Sequence, residues 1–245
     1  MGSVKKVVVT GASAGIGEAT ARALAAAGHR VLLGARRLER LRAIADEIGG
    51  EARELDVRDE ASVAAFAEAA GAVDVVINNA GLSQGLEPVT ETASDAWTTM
   101  YETNVLGAMR VARAFIPSLI ASGDGHLVHL GSISGFEVYP GGAGYTASKH
   151  ALRALTKTLR LELLGQPVRV TEISPGLVET EFSLVRFDGD ADRASSVYNG
   201  MTPLTAVDVA ECIAWAVSRP SHVNIDEIVV RPRDQATSTA VHRRG

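Results

Sequence analysis

The chain has 245 residues, of which 46% are hydrophobic and 22% charged, proportions typical of a folded protein with a substantial core. Its net charge of -5 argues against nucleic acid as the main partner, because phosphate binding needs a positive field. No uninterrupted apolar run reaches the roughly 18 residues of a membrane span, and the N-terminus leads into a strand pattern without a signal peptide. The single cysteine, Cys212, excludes a disulfide framework and a thiolate metal cluster. We therefore expect a cytoplasmic protein that binds neither membranes nor nucleic acid.

Seven short runs rich in valine and isoleucine alternate with helical stretches along the chain. Uniformly apolar strands are buried on both faces, and helices between them imply parallel crossovers. The pattern predicts a Rossmann-like α/β fold, a doubly wound parallel sheet of about seven strands with helices on both faces, in a single domain spanning 1–245. One long helix is predicted from Ser94 to Ser122. The predicted strands are, in chain order, KKVVVT, HRVLLGA, EARELDV, VDVVINNAG, GHLVHLGS, VRVTEISPG and NIDEIVVRP.

Three segments lack a regular pattern. The first is EVYPGGAG, and the second contains residues 182–202, which we predict to be a substrate-binding loop because ligands bind beyond the carboxyl ends of such strands. The third is the polar tail at 233–245, which we expect to fray in a monomer.

The stretch TGASAGIG joins the first predicted strand to the first helix. Its glycines allow a tight turn and close approach of the backbone to a pyrophosphate, whose charge then meets the helix N-terminus. An ordinary turn also uses glycines, but the position after the first strand favours a dinucleotide site. The cofactor-binding residues predicted here are Gly11, Ser13, Gly15, Ile16 and Gly17.

The end of the second strand indicates which dinucleotide binds. A site for NAD usually has an acidic residue there, whereas this chain has Arg36 and Arg37. Guanidinium groups grip a 2′-phosphate, and two merely solvated arginines would be poorly placed at a helix start. The sequence therefore predicts NADP as the cofactor.

Residues after the third and fourth strands extend the predicted cofactor site. Asp56 is placed to accept from the adenine amino group, with Val57 beside the ring, although Asp56 could equally cap the next helix. Asn79, in the stretch INNAG, lets a ribose lie against the backbone, and it also suits an ordinary turn.

Tyr145 precedes Lys149 by four residues, so a helix carries the phenol and the ammonium on one face. Ser132 lies just past the fifth strand, and Asn104 lies in ETNVLG. The glycine turn, NNAG, Asn104, Ser132 and the Y-x-x-x-K pair occur in an order that resembles the short-chain dehydrogenase/reductase superfamily over nearly the whole chain.

The resemblance implies that Asn104, Ser132, Tyr145 and Lys149 are catalytic. Tyr145 would be the general acid/base, Ser132 would orient the substrate oxygen, Lys149 would also hold the nicotinamide ribose, and Asn104 would complete a water-linked proton relay. Lowering a phenol pKa from about 10 to about 7 takes roughly 4 kcal/mol. An ammonium about 4 Å away supplies about 4 kcal/mol at an effective dielectric of 20. We therefore expect Lys149 to depress the pKa of Tyr145.

In the same family a P-G-x-V-x-T turn covers the nicotinamide, and Pro175, Gly176, Val178 and Thr180 match it. More finely, PGLVETEFSLVRFDGD and the C-terminal sequence resemble NADP-dependent 3-hydroxy acid dehydrogenases, including those that oxidise serine and allo-threonine. The resemblance also implies a homotetramer. If the substrate is a small carboxylate, Arg186 in the predicted loop is the candidate to bind it, although Arg186 could instead lie on the loop surface.

Other functions remain open at this stage. One is reduction of a bulkier ketone, aldehyde or 3-oxoacyl thioester on a carrier protein, for which Lys149, Arg153, Lys157 and Arg160 would form a basic face. The other is a non-catalytic NADP sensor on the same fold. The histidines have no metal-ligand spacing, so we expect no metal site.

Overall fold

The computed structural model describes residues 3–244, and all seven predicted strands form one parallel sheet in the order β3-β2-β1-β4-β5-β6-β7. Residues 1, 2 and 245, which the sequence assigns to the same domain and its tail, lie outside the described residues. The order reverses between β1 and β4, so the carboxyl ends of these strands flank a crevice where ligands bind. The strands are β1 Lys6–Thr10, β2 Arg30–Ala35, β3 Glu51–Glu54, β4 Val75–Asn78, β5 Gly125–Leu130, β6 Val168–Pro175 and β7 Glu227–Val230.

Helices cover both faces of the sheet, as predicted. Along β1, Val7 and Val9 pack into one apolar cluster with Leu24, whereas Val8 between them packs into a second cluster with Phe115. This alternation explains why the three central residues of β1 are all apolar. The helices are α1 Gly15–Ala26, α2 Leu38–Ile48, α3 Glu60–Ala70, α4 Ser94–Tyr101, α5 Ala108–Ala121, α6 Ala143–Glu162, α7 Glu181–Arg186, α8 Ala191–Ser196 and α9 Ala206–Val217.

The long helix predicted from Ser94 to Ser122 is present but interrupted. A π-helical segment, Glu102–Gly107, joins α4 to α5 and contains Asn104. Such segments are frequent at functional sites, because the extra residue per turn redirects side chains. The continuous stretch Ser94–Ala121 is long and apolar enough to cross a membrane, although its Phe115 and Leu119 pack in the core between α5 and the sheet, as in a core helix.

Two of the segments predicted to be irregular have defined structure. The 182–202 loop contains most of α7 and all of α8, and it is closed over the sheet by hydrogen bonds such as Gly85 N to the Arg186 carbonyl at 2.9 Å. The tail does not fray within its described part: Gln235 is buried and Arg244 N donates to the Gly200 carbonyl at 2.7 Å. The expectation of a frayed tail is therefore wrong, because the tail finds partners within its own protomer.

Candidate active site

A cavity of about 550 Å³ opens at the carboxyl ends of the central strands. Its floor is formed by the glycine turn before α1 and the start of α6, and its roof by α7 and the C-terminal tail. Most predicted site residues meet there. Those that line it are Gly11, Gly15, Ile16, Arg37, Asn79, Ser132, Tyr145, Lys149, Pro175, Gly176, Val178, Thr180 and Arg186.

Tyr145 and Lys149 lie one turn apart in α6 and are both buried, with 8% and 5% of their surfaces exposed. The Lys149 Nζ lies 5.8 Å from the centre of the Tyr145 ring and donates to the Leu130 carbonyl at 2.8 Å. The sheet thus fixes the ammonium beside the phenol, as the spacing in the sequence predicts.

The expected depression of the Tyr145 pKa is not seen in the protein alone. Burial raises the pKa of Tyr145 to about 12, and the nearby Tyr139 adds to this, while Arg186 and the Ser132 hydroxyl act in the opposite direction. Burial also lowers the pKa of Lys149 to about 8, against the opposing effect of the Glu172 carboxylate. The sequence argument underestimated desolvation, which disfavours both charged forms. The positive charge of an oxidised nicotinamide would favour the phenolate.

Ser132 and Asn104 are held by local structure around this pair. Ser132 begins a short 3₁₀ turn, Ile133–Gly135, and its hydroxyl accepts from Ser134 N at 3.1 Å. The Asn104 side chain accepts from Leu82 N and donates to the Leu82 carbonyl, both at 2.8 Å, and donates to the Ser148 hydroxyl at 2.9 Å. The side chain of Asn104 therefore ties the loop after β4 to α6, and the proton relay through Asn104 stays a prediction.

The glycine turn is braced by the end of β4. Asn79 Nδ2 donates to the Thr10 carbonyl at 2.9 Å, and a Cβ on Gly17 would lie 2.5 Å from that nitrogen. Gly11 and Gly15 have φ values of +65° and +56°, a conformation that favours glycine. Asn79 thus shapes the turn, whose open side and helix N-terminus suit a pyrophosphate.

Arg37 reaches from β2 across the turn. Its Nε donates to the Ser13 hydroxyl at 3.0 Å, and its Nη1 pairs with the Glu181 carboxylate of α7 at 2.8 Å. Arg40 pairs with the other oxygen of Glu181 at 2.6 Å, while Arg36 is exposed at the same edge. Three arginines with one carboxylate between them suit a 2′-phosphate, and Arg40 and Glu181 were not predicted.

Asp56 and Val57 lie outside the cavity. The Asp56 carboxylate pairs with Arg58 at 2.9 Å, and Arg58 lowers the pKa of that carboxyl. Asp59, not Asp56, caps α3 by accepting from Ala61 N. Val57 is a core side chain, and a Cβ on Gly107 would lie 2.7 Å from its Cγ2. The capping alternative for Asp56 is therefore wrong, and contacts of Asp56 and Val57 with an adenine ring stay predictions. Predicted residues absent from the cavity wall are Ser13, Gly17, Arg36, Asp56, Val57 and Asn104.

Arg186, at the end of α7, projects into the cavity over the phenol. Its guanidinium carbon lies 5.3 Å from the Tyr145 ring centre and 5.1 Å from that of Phe182. It donates to the hydroxyls of Ser83 and Tyr139, both at 3.1 Å. Within the part of the chain that the structure describes, no carboxylate forms an ion pair with it, so its charge is available to an anion.

Sequence reasoning missed several residues of the cavity wall. Tyr139 lies in the segment EVYPGGAG and Tyr198 in the 182–202 loop. The position of these segments indicated a role in ligand binding, but no motif identified the two tyrosines. Gln235 of the wall carried no signal, and neither did Ser83, which contacts the Arg186 guanidinium. Residues contributed by loops depend on a backbone path that a local pattern does not encode.

Comparisons with known proteins agree with this geometry. Residues 5–189 match the family model described as short chain dehydrogenase. An uncharacterized oxidoreductase of Mycobacterium tuberculosis is 60% identical over 240 residues, covering 98% of this chain and 96% of the relative. An NADP-dependent 3-hydroxy acid dehydrogenase of Salmonella typhi is 41% identical over 245 residues, covering 97% and 99%. The structure of the closed form of serine dehydrogenase complexed with NADP⁺ superposes with a TM-score of 0.93 at 39% identity, covering 98% of this chain and all of that one. The chain belongs to the short-chain dehydrogenase family and is an oxidoreductase.

Proposed function

We propose that this enzyme transfers hydride between NADP(H) and a small 3-hydroxy acid or its carbonyl counterpart, with β-hydroxy amino acids as members of the same class. The observation that carries the proposal is the Arg186 guanidinium above the Tyr145 ring, which forms an ion pair with no carboxylate of the described residues 3–244. A carboxylate bound there places the β-carbon of a short acid near the phenol. The relatives named for 3-hydroxy acids and for serine support the same class.

NADP is the cofactor, and the residues present fit it. The glycine turn and the N-terminus of α1 accept the pyrophosphate, and Arg36, Arg37 and Arg40 offer cations to the 2′-phosphate. Pro175, Gly176, Val178 and Thr180 line the cavity in the turn that would hold the nicotinamide, and Lys149 would hold its ribose. When bound, the cofactor supplies or accepts the hydride.

The side chains of this protein handle the proton. In reduction, Ser132 donates a hydrogen bond to the substrate carbonyl oxygen, and Tyr145 gives its phenolic proton to the same oxygen. The buried ammonium of Lys149 stabilises the phenolate that results. We propose that Asn104 connects Lys149 to water, since both side chains flank Gly81: a Cβ there would lie 3.1 Å from Asn104 Oδ1 and 3.6 Å from Lys149 Nζ. In oxidation the proton returns to Tyr145.

The alternative of a carrier-protein thioester reductase loses its main support. Of the four residues of the expected basic face on α6, Lys149 is buried in the site. Arg153 pairs with Glu227, and Arg160 donates to the Val170 and Asp226 carbonyls. Lys157 is the one of the four that is classed as exposed, so this face offers less charge to an acidic carrier than the sequence predicted.

We also propose that the enzyme acts in the cytoplasm as a homotetramer. Support comes from apolar side chains exposed on two outer helices, where a second copy would cover them. Leu161 lies in the last turn of α6 and Leu164 just after this helix, and Val207 and Trp215 lie on α9.

Replacing Arg186 tests the substrate class. In Arg186→Leu we expect the KM for 3-hydroxybutyrate to rise by about 10- to 100-fold, because a charge-assisted hydrogen bond of about 1.5–3 kcal/mol is lost. The KM for a neutral secondary alcohol should change little, and Arg186→Lys should retain part of the preference. Steady-state kinetics measure both values. Equal effects on the acid and the alcohol would contradict the assignment.

A further inference from the structure

The C-terminal tail folds back onto its own protomer as a short hairpin. Gln235 pairs with Val241 in an antiparallel bridge, and His242 N donates to the Asp234 carbonyl at 2.8 Å. Gln235, Ser238, Thr239, Val241 and Arg243 all line the cavity. The tail is therefore part of the cavity wall.

The side chain of Gln235 reaches the turn that faces the nicotinamide. Only 5% of Gln235 is exposed, and its Oε1 accepts from Leu177 N at 2.8 Å. A Cβ on Gly176 would lie 2.2 Å from this oxygen, so the contact requires glycine at that position. The Leu177 carbonyl in turn accepts from Leu204 N at 3.0 Å. The turn between Pro175 and Thr180 is thus held through Leu177 on both sides.

The tail also contacts the segment around Tyr198, which in turn contacts this turn. Arg243 donates to the carbonyls of Val197 and Asn199, which flank Tyr198. The Tyr198 hydroxyl donates to the Val178 carbonyl at 2.8 Å and shares a 2.7 Å hydrogen bond with Ser183 of α7. The tail therefore holds Leu177 directly through Gln235 and supports Val178 indirectly, through the segment that carries Tyr198.

We propose that Gln235 is a positioning residue, which holds the Pro175–Thr180 turn at the distance from the catalytic tyrosine that hydride transfer needs. The inference rests on the proposed placing of the nicotinamide against this turn. Loss of the Gln235 oxygen leaves Leu177 N without its acceptor and lets the turn move. Because transfer depends steeply on the separation of donor and acceptor carbons, a small displacement slows chemistry more than binding.

The test compares Gln235→Ala with His242→Ala, an exposed position in the same tail. With NADPH deuterated at the transferred position, Gln235→Ala should lower kcat by about 10- to 100-fold and raise the kinetic isotope effect on kcat toward its intrinsic value. The KM for the carbonyl substrate should change less than threefold, and the His242→Ala enzyme should match the unmodified one. Gln235→Glu, which keeps an acceptor oxygen at the same reach, should recover at least half of the lost kcat.

Two results would overturn the inference. One is a Gln235→Ala enzyme with unchanged kcat and isotope effect. The other is a loss of kcat that follows the fraction of folded enzyme, measured by thermal unfolding, without a change in isotope effect. If the unmodified enzyme binds NADPH but reduces no carbonyl, the proposed function fails by itself. The role of Gln235 is then tested by the fluorescence emission of bound NADPH. A displaced turn should change this emission in Gln235→Ala and leave it unchanged in His242→Ala. Unchanged emission in Gln235→Ala would overturn the role.

Discussion

At the scale of single residues, burial sets the protonation of the two groups that α6 presents to the substrate. The pKa of Tyr145 is raised to about 12 and that of Lys149 is lowered to about 8. At neutral pH the protein therefore holds a protonated phenol beside an ammonium, which is the state that carbonyl reduction consumes. The lysine loses its proton before the tyrosine does, so the lysine limits the alkaline range.

This order of titration predicts the pH profile of reduction. We expect kcat/KM for a carbonyl substrate to be level below about pH 8 and to fall above it, because neutral Lys149 no longer stabilises the phenolate that forms at Tyr145. The Glu172 carboxylate raises the pKa of Lys149. Glu172 itself accepts a hydrogen bond from Ser174 and lies near Arg153, which also pairs with Glu227. In Glu172→Gln the decline should therefore begin at lower pH.

The profile is measured by kcat/KM between pH 6 and 10. Glu162→Gln, an exposed change on the same helix, is the matched control and should leave the decline in place. A Glu172→Gln enzyme whose decline coincides with that of the unmodified enzyme would remove Glu172 from the account.

The sequence predicted the chemistry of the residues better than their environment. The four-residue spacing placed Tyr145 and Lys149 together because helix geometry is local and regular. It did not predict the burial that raises the pKa of Tyr145, to which Phe182 from a distant segment contributes by packing on the ring. The spacing of residues determines which side chains share one face of a helix. The desolvation of those side chains depends on the other elements that pack over that face.

At the scale of elements, the strands and the helices between them follow the predicted order, since the strands inside the sheet are buried and apolar. The edge strand β3, Glu51–Glu54, is polar and mostly exposed. The helices α7 and α8 were not predicted, because they are one to two turns long and are stabilised by tertiary contacts rather than by their own sequence. The helix α7 covers the cavity and is held at both ends by side-chain contacts. Arg186 donates to Ser83 and Tyr139 at one end, and Glu181 pairs with two arginines at the other. The position of α7 therefore depends on cavity side chains.

The position of Glu181, at the start of α7, predicts how tightly NADP⁺ binds. Its carboxylate pairs with Arg40 and Arg37, and these hydrogen bonds lower the pKa of Glu181. The carboxylate therefore competes with the 2′-phosphate for the two guanidinium groups. In Glu181→Gln we expect NADP⁺ to bind about two- to fivefold more tightly, the scale of one exposed ion pair, with NAD⁺ binding unchanged. Titration calorimetry measures both affinities, with Glu39→Gln on α2 as control. Weaker NADP⁺ binding would mean that Glu181 orders the arginines rather than competing for them.

At the scale of the whole molecule, two histidines of β5 lie inside the core. The His126 ring shares a 2.8 Å hydrogen bond with the Thr171 hydroxyl, and the His129 ring shares one of 2.7 Å with the Thr156 hydroxyl. Burial lowers the pKa of His126 well below its usual range and that of His129 to about 3. Both are therefore neutral in the folded protein at physiological pH, consistent with packing roles.

These histidines predict sensitivity to acid. In the unfolded chain a histidine gains its proton near pH 6.5, whereas folded His129 resists protonation until about pH 3. The stabilisation from His129 is therefore complete above pH 6.5 and is lost as the pH falls toward 3, by about 2 kcal/mol at pH 5. Urea unfolding measures the free energy of unfolding at pH 7 and pH 5. Between these two values it should fall by about 2 kcal/mol less in His129→Asn than in the unmodified protein. The exposed variant His222→Asn should behave as the unmodified protein, and an identical fall in His129→Asn would contradict the prediction.

The most direct test of the whole account is NADP⁺ reduction, followed by NADPH absorbance, with unmodified enzyme and Tyr145→Phe. The substrates are serine, allo-threonine, 3-hydroxyisobutyrate, 3-hydroxybutyrate and simple secondary alcohols. The account predicts turnover of the hydroxy acids ahead of the neutral alcohols, and loss of about 100-fold or more in Tyr145→Phe, because no group remains to take the proton. Equal turnover of acids and alcohols would contradict the substrate class. Undiminished turnover in Tyr145→Phe would contradict the chemistry assigned to the site.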